Sequence, residues 1–209
     1  MNKSFILIEH PLIKRDVTIL RDVKTTSETF RAALQRVSNI LAVEISKNFK
    51  LSSIEVETPL EKTTGTMLTN DVILVPVLRA GLGMVNGFLQ IIPEAKVGHI
   101  GLQRDEETLQ PVEYYYKVPK NLKDAEVIML DPMLATGGSA TEALKYLKKR
   151  GAKKIAFACL VAAPEGIKRI GSEHPEIKIF SAALDRELNI KGYILPGLGD
   201  AGDRTFGTL

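Results

Sequence analysis

The chain has 209 residues, with 28 Lys plus Arg against 25 Asp plus Glu, for a formal net charge of +3. Hydrophobic residues make up 44% and charged residues 25%, an ordinary globular balance that excludes a disordered or collagen-like chain. A single cysteine, Cys159, excludes an internal disulfide framework and any CxxC metal or redox site, so a reducing cytoplasm is the expected setting.

The length suits one domain over residues 1–209. The positive charge is scattered instead of gathered in a stripe, which argues against a nucleic-acid partner. The densest cluster, Lys148-Lys149-Arg150, suits the solvated C-terminal end of a helix. Phe5 to Ile8 is too short for a secretory apolar segment and is broken by Glu9. The run Ile155 to Ala163 falls far short of the ~20 residues that span a bilayer. No membrane partner is expected.

In chain order, Thr25 to Phe49 reads as a helix. Phe30, Leu34, Val37, Ile40, Leu41, Ile45 and Phe49 recur at helical spacing, and Thr25 with Glu28 has the form of a capping box. Asp71 to Leu78 is a continuous β-rich apolar run, suited to a strand covered on both faces. Gly81 to Ile92 reads as a helix stopped by Pro93. Lys96 to Leu102 and Val112 to Val118 read as strands flanking a polar stretch, Arg104 to Pro111. Tyr114, Tyr115 and Tyr116 alternate on the second of these strands, so at least one faces solvent or a partner subunit. Glu126 to Leu130 is a buried strand, Ser139 to Arg150 a helix closed by Gly151, and Ile155 to Val161 a strand. Glu165 to Ile170 is a short helix and Ile177 to Leu184 a last strand. Strand–helix alternation implies an α/β fold with parallel crossovers, whose ligands sit beyond the carboxyl ends of the strands.

The strongest local signal is Glu126 to Leu144. A hydrophobic strand ends at Asp131, and Thr136-Gly137-Gly138-Ser139 opens the next helix. Glycines let successive N–H groups converge, and a helix start adds partial positive charge, so this loop suits a phosphate. Asp131 is acceptor-only when ionised and suits a pair of sugar hydroxyls. Out of context, TGGS is an ordinary capped turn; the preceding strand and acid favour a function. Arg79 follows the VILVPVL strand and precedes Gly81 and Gly83, a setting that suits a pyrophosphate or, equally, a surface arginine ahead of a helix start. Gly197-Leu198-Gly199-Asp200-Ala201-Gly202 matches GxGxxG but opens no βαβ unit, so the dinucleotide reading fails. His10, His99 and His174 lack metal-ligand spacing and read as structural or surface residues. Cys159 reads as a buried, inert thiol.

The segment Glu126 to Leu144 resembles the phosphoribosyl-pyrophosphate (PRPP) motif of the type I phosphoribosyltransferases. Most members carry two adjacent acids at the strand end, whereas here Pro132 follows Asp131, as in the uracil-specific branch. The resemblance runs from Glu9-His10-Pro11-Leu12-Ile13, through Val75 to Met84 and Gln103 to Tyr116, to Gly192 to Thr208. It implies the type I phosphoribosyltransferase fold: a mostly parallel central sheet flanked by helices, with a small hood made partly by the N- and C-terminal segments. It further implies a pentosyltransferase of pyrimidine salvage that converts uracil and PRPP to UMP and diphosphate.

Carried over by resemblance, the PRPP site comprises Arg79, Arg104, Asp131, Pro132, Met133, Leu134, Ala135, Thr136, Gly137, Gly138, Ser139 and Asp200. The uracil site comprises Tyr193, Ile194, Gly199, Asp200 and Ala201. Asp200 and Arg79 are the catalytic candidates, with Asp203 supporting the loop. In the family, Arg104 reaches the pyrophosphate and the polar stretch after it folds over the site. Mg²⁺ is expected on PRPP and water, without a dedicated protein ligand set. A homo-oligomer, dimer or tetramer, is implied, and a GTP effector is left open. A regulator of the same fold that binds RNA or DNA is the competing reading. It needs a concentrated basic face, which the sequence does not suggest.

Overall fold

The computed structural model describes residues 4–104 and 111–208. In chain order its first elements are β1 (Phe5–Leu7), α1 (Pro11–Arg21), α2 (Ser27–Ser46), β2 (Leu51–Glu57), β3 (Lys62–Leu68), β4 (Val72–Leu78) and α3 (Leu82–Ile91). There follow β5 (Lys96–Val97), β6 (His99–Arg104), β7 (Pro111–Lys117), β8 (Glu126–Leu130), β9 (Met133–Leu134), α4 (Gly138–Lys149) and β10 (Lys154–Ala162). The last are α5 (Pro164–Glu173), β11 (Lys178–Leu184), β12 (Glu187–Leu188), β13 (Ile194–Leu195) and α6 (Ala201–Phe206).

Among the described residues, nine strands form one sheet, with the main order β1-β11-β10-β8-β4-β6-β7; β5 pairs with β4 and β9 with β10. Its pairings are parallel except β6–β7, which is antiparallel. The central strand β4 shows why the sequence reads as an unbroken apolar run. Val72 and Leu74 pack with Leu34, Met84 and Phe88 of α2 and α3, while Ile73 and Val75 pack with Ala143, Leu144 and Leu147 of α4. Both faces are covered, so alternation vanishes. No helix among the described residues is long and apolar enough to cross a membrane.

The helix expected over Thr25 to Phe49 is shorter at both ends. The Thr25 hydroxyl donates to the Ile19 carbonyl at 2.7 Å and is consumed by the α1–α2 turn. Thr26 therefore becomes the N-cap, accepting from the Thr29 N–H at 3.3 Å, and the Thr25–Glu28 capping box is not the one used. The strand expected over Lys96 to Leu102 is divided into β5 and β6. In β7 the register slips opposite Gly101 and Leu102: Tyr115 faces Gly101, Glu113 faces Leu102, and Tyr114 is the extra residue. The bulge leaves both Tyr114 and Tyr115 exposed, while Tyr116 packs under the Arg150 guanidinium at 3.7 Å. The cluster at the end of α4 is correspondingly less free than expected, since Arg150 also makes a bidentate pair with Glu113.

Besides the short elements β1, β9, β12, β13 and α6, two longer features lie outside the sequence expectations. One is α1, whose buried side chains are Ile13, Asp16, Val17 and Leu20. The other is the antiparallel hairpin β2–β3, a separate two-stranded sheet. Of the N-terminal segment expected in a hood, β1 extends the central sheet, and the end of α1 reaches the C-terminal loops.

Phe157 is fully buried at the middle of β10. Phe157→Ala is expected to cost roughly 3–5 kcal/mol, read as a lowered urea midpoint with an unchanged slope.

Candidate active site

Parallel pairing brings the sites of interest to one edge. Asp131 follows β8, Arg79 follows β4, and Arg104 ends β6, and these strands are parallel neighbours. Asp185 follows β11 at the same edge. The side chain of Arg104, and Asp105, Glu106 and Glu107 beyond it, lie outside the described residues.

After Asp131, the chain runs through β9 to Gly137, the N-cap of α4, at φ +76°. An L side chain is strained there, and a Cβ would also meet the Gly166 carbonyl at 3.2 Å. No side chain caps this helix. Apart from a long 3.4 Å bond from the Gly138 N–H to the Thr136 hydroxyl, its first-turn N–H groups and its dipole therefore remain available to an anion, with the exposed Thr136 and Ser139 beside them. Pro132 and Leu134 are buried, and their carbonyls accept from Leu160, Val161 and Ala163 N–H groups of β10 and its end. These two residues anchor the loop and present no side chain to a ligand.

Behind the loop, the Thr141 hydroxyl donates to the Gly137 carbonyl at 2.9 Å. The buried His174 donates from Nε2 to the Thr141 carbonyl at 3.1 Å, because its Nδ1 faces the donor-only Lys148 ammonium at 2.7 Å. Burial lowers the His174 pKa, so a neutral imidazole supports α4. His174 is thus structural, as the sequence suggests.

The loop expected to hold a base arrives from the other side. A Cβ added at Gly192 would reach the Thr136 methyl at 3.6 Å, and one added at Gly202 would reach the Ala80 methyl at 3.7 Å, so these segments are near neighbours. The Leu195–Pro196 and Leu78–Arg79 peptide bonds are cis. Gly197 and Gly199 hold φ of +65° and +77°. Asp200 is the N-cap of α6, its Oδ1 accepting from the Asp203 N–H at 2.9 Å. The last glycine of the GxGxxG pattern therefore falls inside α6, and no strand-to-helix dinucleotide turn exists there. The tail is a short capped helix.

Between these segments is a crevice of about 260 Å³, lined by Asp131, Met133 and Ala135, by Gly192, Tyr193 and Ile194, by Gly199, Asp200, Ala201 and Gly202, and by Ala80. All five residues expected at the base site line it, with Asp131, Met133, Ala135 and Asp200 of the expected phosphoribosyl site. Ala80, Gly192 and Gly202 are additions, and each neighbours an expected residue. A cavity of about 290 Å³ lies at the opposite, amino edge of the sheet, between the end of α2 and β8 and β10, so size does not select the site.

Two charged groups are perturbed. Desolvation pushes the Asp131 carboxyl up to about 7, opposed by one hydrogen bond from the Met133 N–H. Arg79 Nη2 donates to Asp203 Oδ1 at 2.9 Å, and the Thr208 hydroxyl donates to the same oxygen at 2.6 Å. The Thr208 and Arg79 contacts together hold the Asp203 carboxyl below the usual range.

A doubly covered parallel sheet with a glycine-rich phosphate-type loop at its edge defines a phosphoribosyltransferase-like fold. A purine phosphoribosyltransferase from Pyrococcus horikoshii superposes with a TM-score of 0.51 over 88% of this chain and 90% of its own, at 16% identity, and so shares the fold. A protein from Aquifex aeolicus superposes with a TM-score of 0.92 at 42% identity over 97% of both chains. The family model described as uracil phosphoribosyltransferase matches residues 7–208. Curated proteins of that name from Bacillus licheniformis and Bacillus thuringiensis are 54% and 53% identical over the full length of both chains. The chain belongs to the uracil phosphoribosyltransferase family.

The raised Asp131 pKa has a thermodynamic sign. The folded protein binds this proton more tightly than the unfolded chain, so Asp131 costs stability as pH rises from 3.8 to about 7. Asp131→Asn is expected to raise the Tm of the unliganded protein at pH 8 by a few degrees, at roughly 2–4 °C per kcal/mol. The gain vanishes at pH 4, as differential scanning calorimetry at the two pH values will read.

Proposed function

We propose that the protein transfers the phosphoribosyl group of PRPP to N1 of uracil, forming UMP and diphosphate. The observation that carries this reading is the meeting, in one crevice, of the Asp131–Ala135 segment that leads into an uncapped helix start suited to a phosphate with a backbone-lined loop suited to a flat base. Membership of the uracil phosphoribosyltransferase family supports it. The scattered charge gives the RNA- or DNA-binding reading no support.

The helix start and loop from Thr136 to Ser139 hold the 5′-phosphate, and Asp131 accepts from the ribose hydroxyls. Arg79 neutralises the diphosphate. Its present partner, Asp203, is an exposed and salt-screened ion pair, weak enough to yield to a polyanion. Arg104 approaches from the tip of β6. Uracil presents an acceptor, a donor and an acceptor along one edge. Main-chain groups near Gly199, Ala201 and Ile194 match that order and reject cytosine, whose position 4 is a donor. An unpaired buried donor costs about 1–3 kcal/mol. Tyr193 flanks the base. Positive charge developing at the anomeric carbon lies beside Asp131 and Asp200. Asp200 uses one carboxylate oxygen to cap α6 and turns the other to N1, as the base that takes its proton.

Mg²⁺ fits these residues. One or two carboxylates with a substrate diphosphate and water is its usual setting, and Asp131 and Asp200 line the same crevice. When bound it neutralises diphosphate charge. The cytoplasm is the assigned compartment. A homo-oligomer is assigned to the β2–β3 hairpin, where Leu51, Leu60 and Met67 are exposed, because an isolated two-stranded hairpin is marginally stable. Light scattering should return a dimer or tetramer mass, and Leu51→Asp with Met67→Asp should reduce it to the monomer.

The direct test mixes protein, Mg²⁺, PRPP and labelled uracil and follows labelled UMP; no product from folded protein overturns the reading. Adding GTP to the same assay tests the effector. Asp200→Asn keeps the cap, since Asn caps as well as Asp. Its Tm should therefore hold while kcat falls roughly 100-fold or more. Nearly full turnover would remove Asp200 from the base role.

A further inference from the structure

A pocket that reads a base through main-chain groups needs its main chain held still. The loop from Pro196 to Asp200 lies in no strand or helix, so its peptide groups lack the partners a sheet would supply. Side chains supply them. Asp185 Oδ2 accepts from the Gly197 N–H at 2.8 Å, and Arg21 Nη1 donates to the Gly197 carbonyl at 2.8 Å. Both polar groups of one residue are thus taken by a pair that is itself bidentate, with Arg21 Nη1 to Asp185 Oδ2 at 2.9 Å and Arg21 Nη2 to Asp185 Oδ1 at 2.5 Å. Arg204 Nη1 takes the next carbonyl, Leu198, at 2.8 Å, and Arg204 also holds the Leu20 and Asp22 carbonyls at the end of α1.

Arg21 and Asp185 come from the end of α1 and the tip of β11, 164 residues apart, and neither lines the crevice. Asp185 is 6% exposed. A buried carboxylate of this kind is tolerated only when paired and hydrogen-bonded, and here the pairing requires the Gly197 peptide in one orientation. No other residue can take the place of Gly197: its φ is +65°, and a Cβ would lie 2.3 Å from the Ile194 carbonyl.

We propose that Arg21 and Asp185 are positioning residues for the base, fixing the Gly197 peptide and through it the uracil-facing groups of Gly199 and Ala201. This rests on the base-site reading above. The pair touches no substrate and acts on the loop that frames the base, while the loop from Asp131 to Ser139, two strands away, is left unchanged.

The test compares Arg21→Met, Arg21→Lys, Asp185→Asn and the double variant R21M/D185N. Removing Arg21 alone strands a buried charge and lowers Tm; the double variant removes both charges and recovers Tm. The expected result is that KM for uracil stays raised about 10–100-fold in the double variant, with KM for PRPP within about twofold of wild type. Lysine, with one ammonium in place of a fork, should restore Tm more than KM for uracil. Hydrogen exchange at the Gly199 and Ala201 amides of the unliganded double variant should be faster than in wild type. The proposal is overturned if KM for uracil recovers along with Tm, if both KM values rise together, or if exchange at those amides is unchanged. Should wild type bind and convert PRPP with another base but not uracil, the base assignment fails; the exchange result then still decides whether the pair holds the loop.

Discussion

A polyanion held by peptide groups requires N–H groups that point at it and have no other partner. That constraint organises the structure. An uncapped helix start supplies the groups, a left-handed glycine at Gly137 turns them inward, and parallel strands bring the loop to the edge where a second loop can face it. Nearly everything else around the crevice holds main chain in place: Pro132 and Leu134 anchored on β10, Thr141 on the Gly137 carbonyl, and His174 behind Thr141.

The same economy explains how charge is distributed. Asp131 is left poorly solvated with a single backbone donor, so the unliganded protein carries a strained carboxylate that ribose hydroxyls would relieve. Arg79, by contrast, is parked on an exposed acid. Arg79 is held loosely, whereas the side chains of Arg21, Asp185 and Arg204 make three hydrogen bonds each, at least one of them to the backbone.

What the sequence disclosed follows from how local each signal is. The strands Asp71 to Leu78 and Glu126 to Leu130 are legible because double burial writes itself as an unbroken apolar run. The phosphate loop is legible because strand, acid, glycines and helix are contiguous. Helix α1 is hidden because Asp16 sits in its buried stripe, and only Arg36, twenty residues on, together with Arg15, makes that placement tolerable. The β2–β3 hairpin has no short turn signature and exposes most of its residues, so its pattern lacks an apolar face. Asp185 had a signal that went unused: it follows an apolar strand just as Asp131 does. Arg21 had none, since the carboxylate and the peptide carbonyl that take its three bonds are more than 160 residues away in the chain.

Cys159 lies in β10 with its thiol wholly enclosed, and desolvation pushes its pKa up to about 12. At neutral pH only about one molecule in 10⁵ carries the reactive thiolate. The native cysteine is therefore chemically silent toward alkylating dyes, and a reporter cysteine placed at an exposed loop could be labelled singly without first removing it.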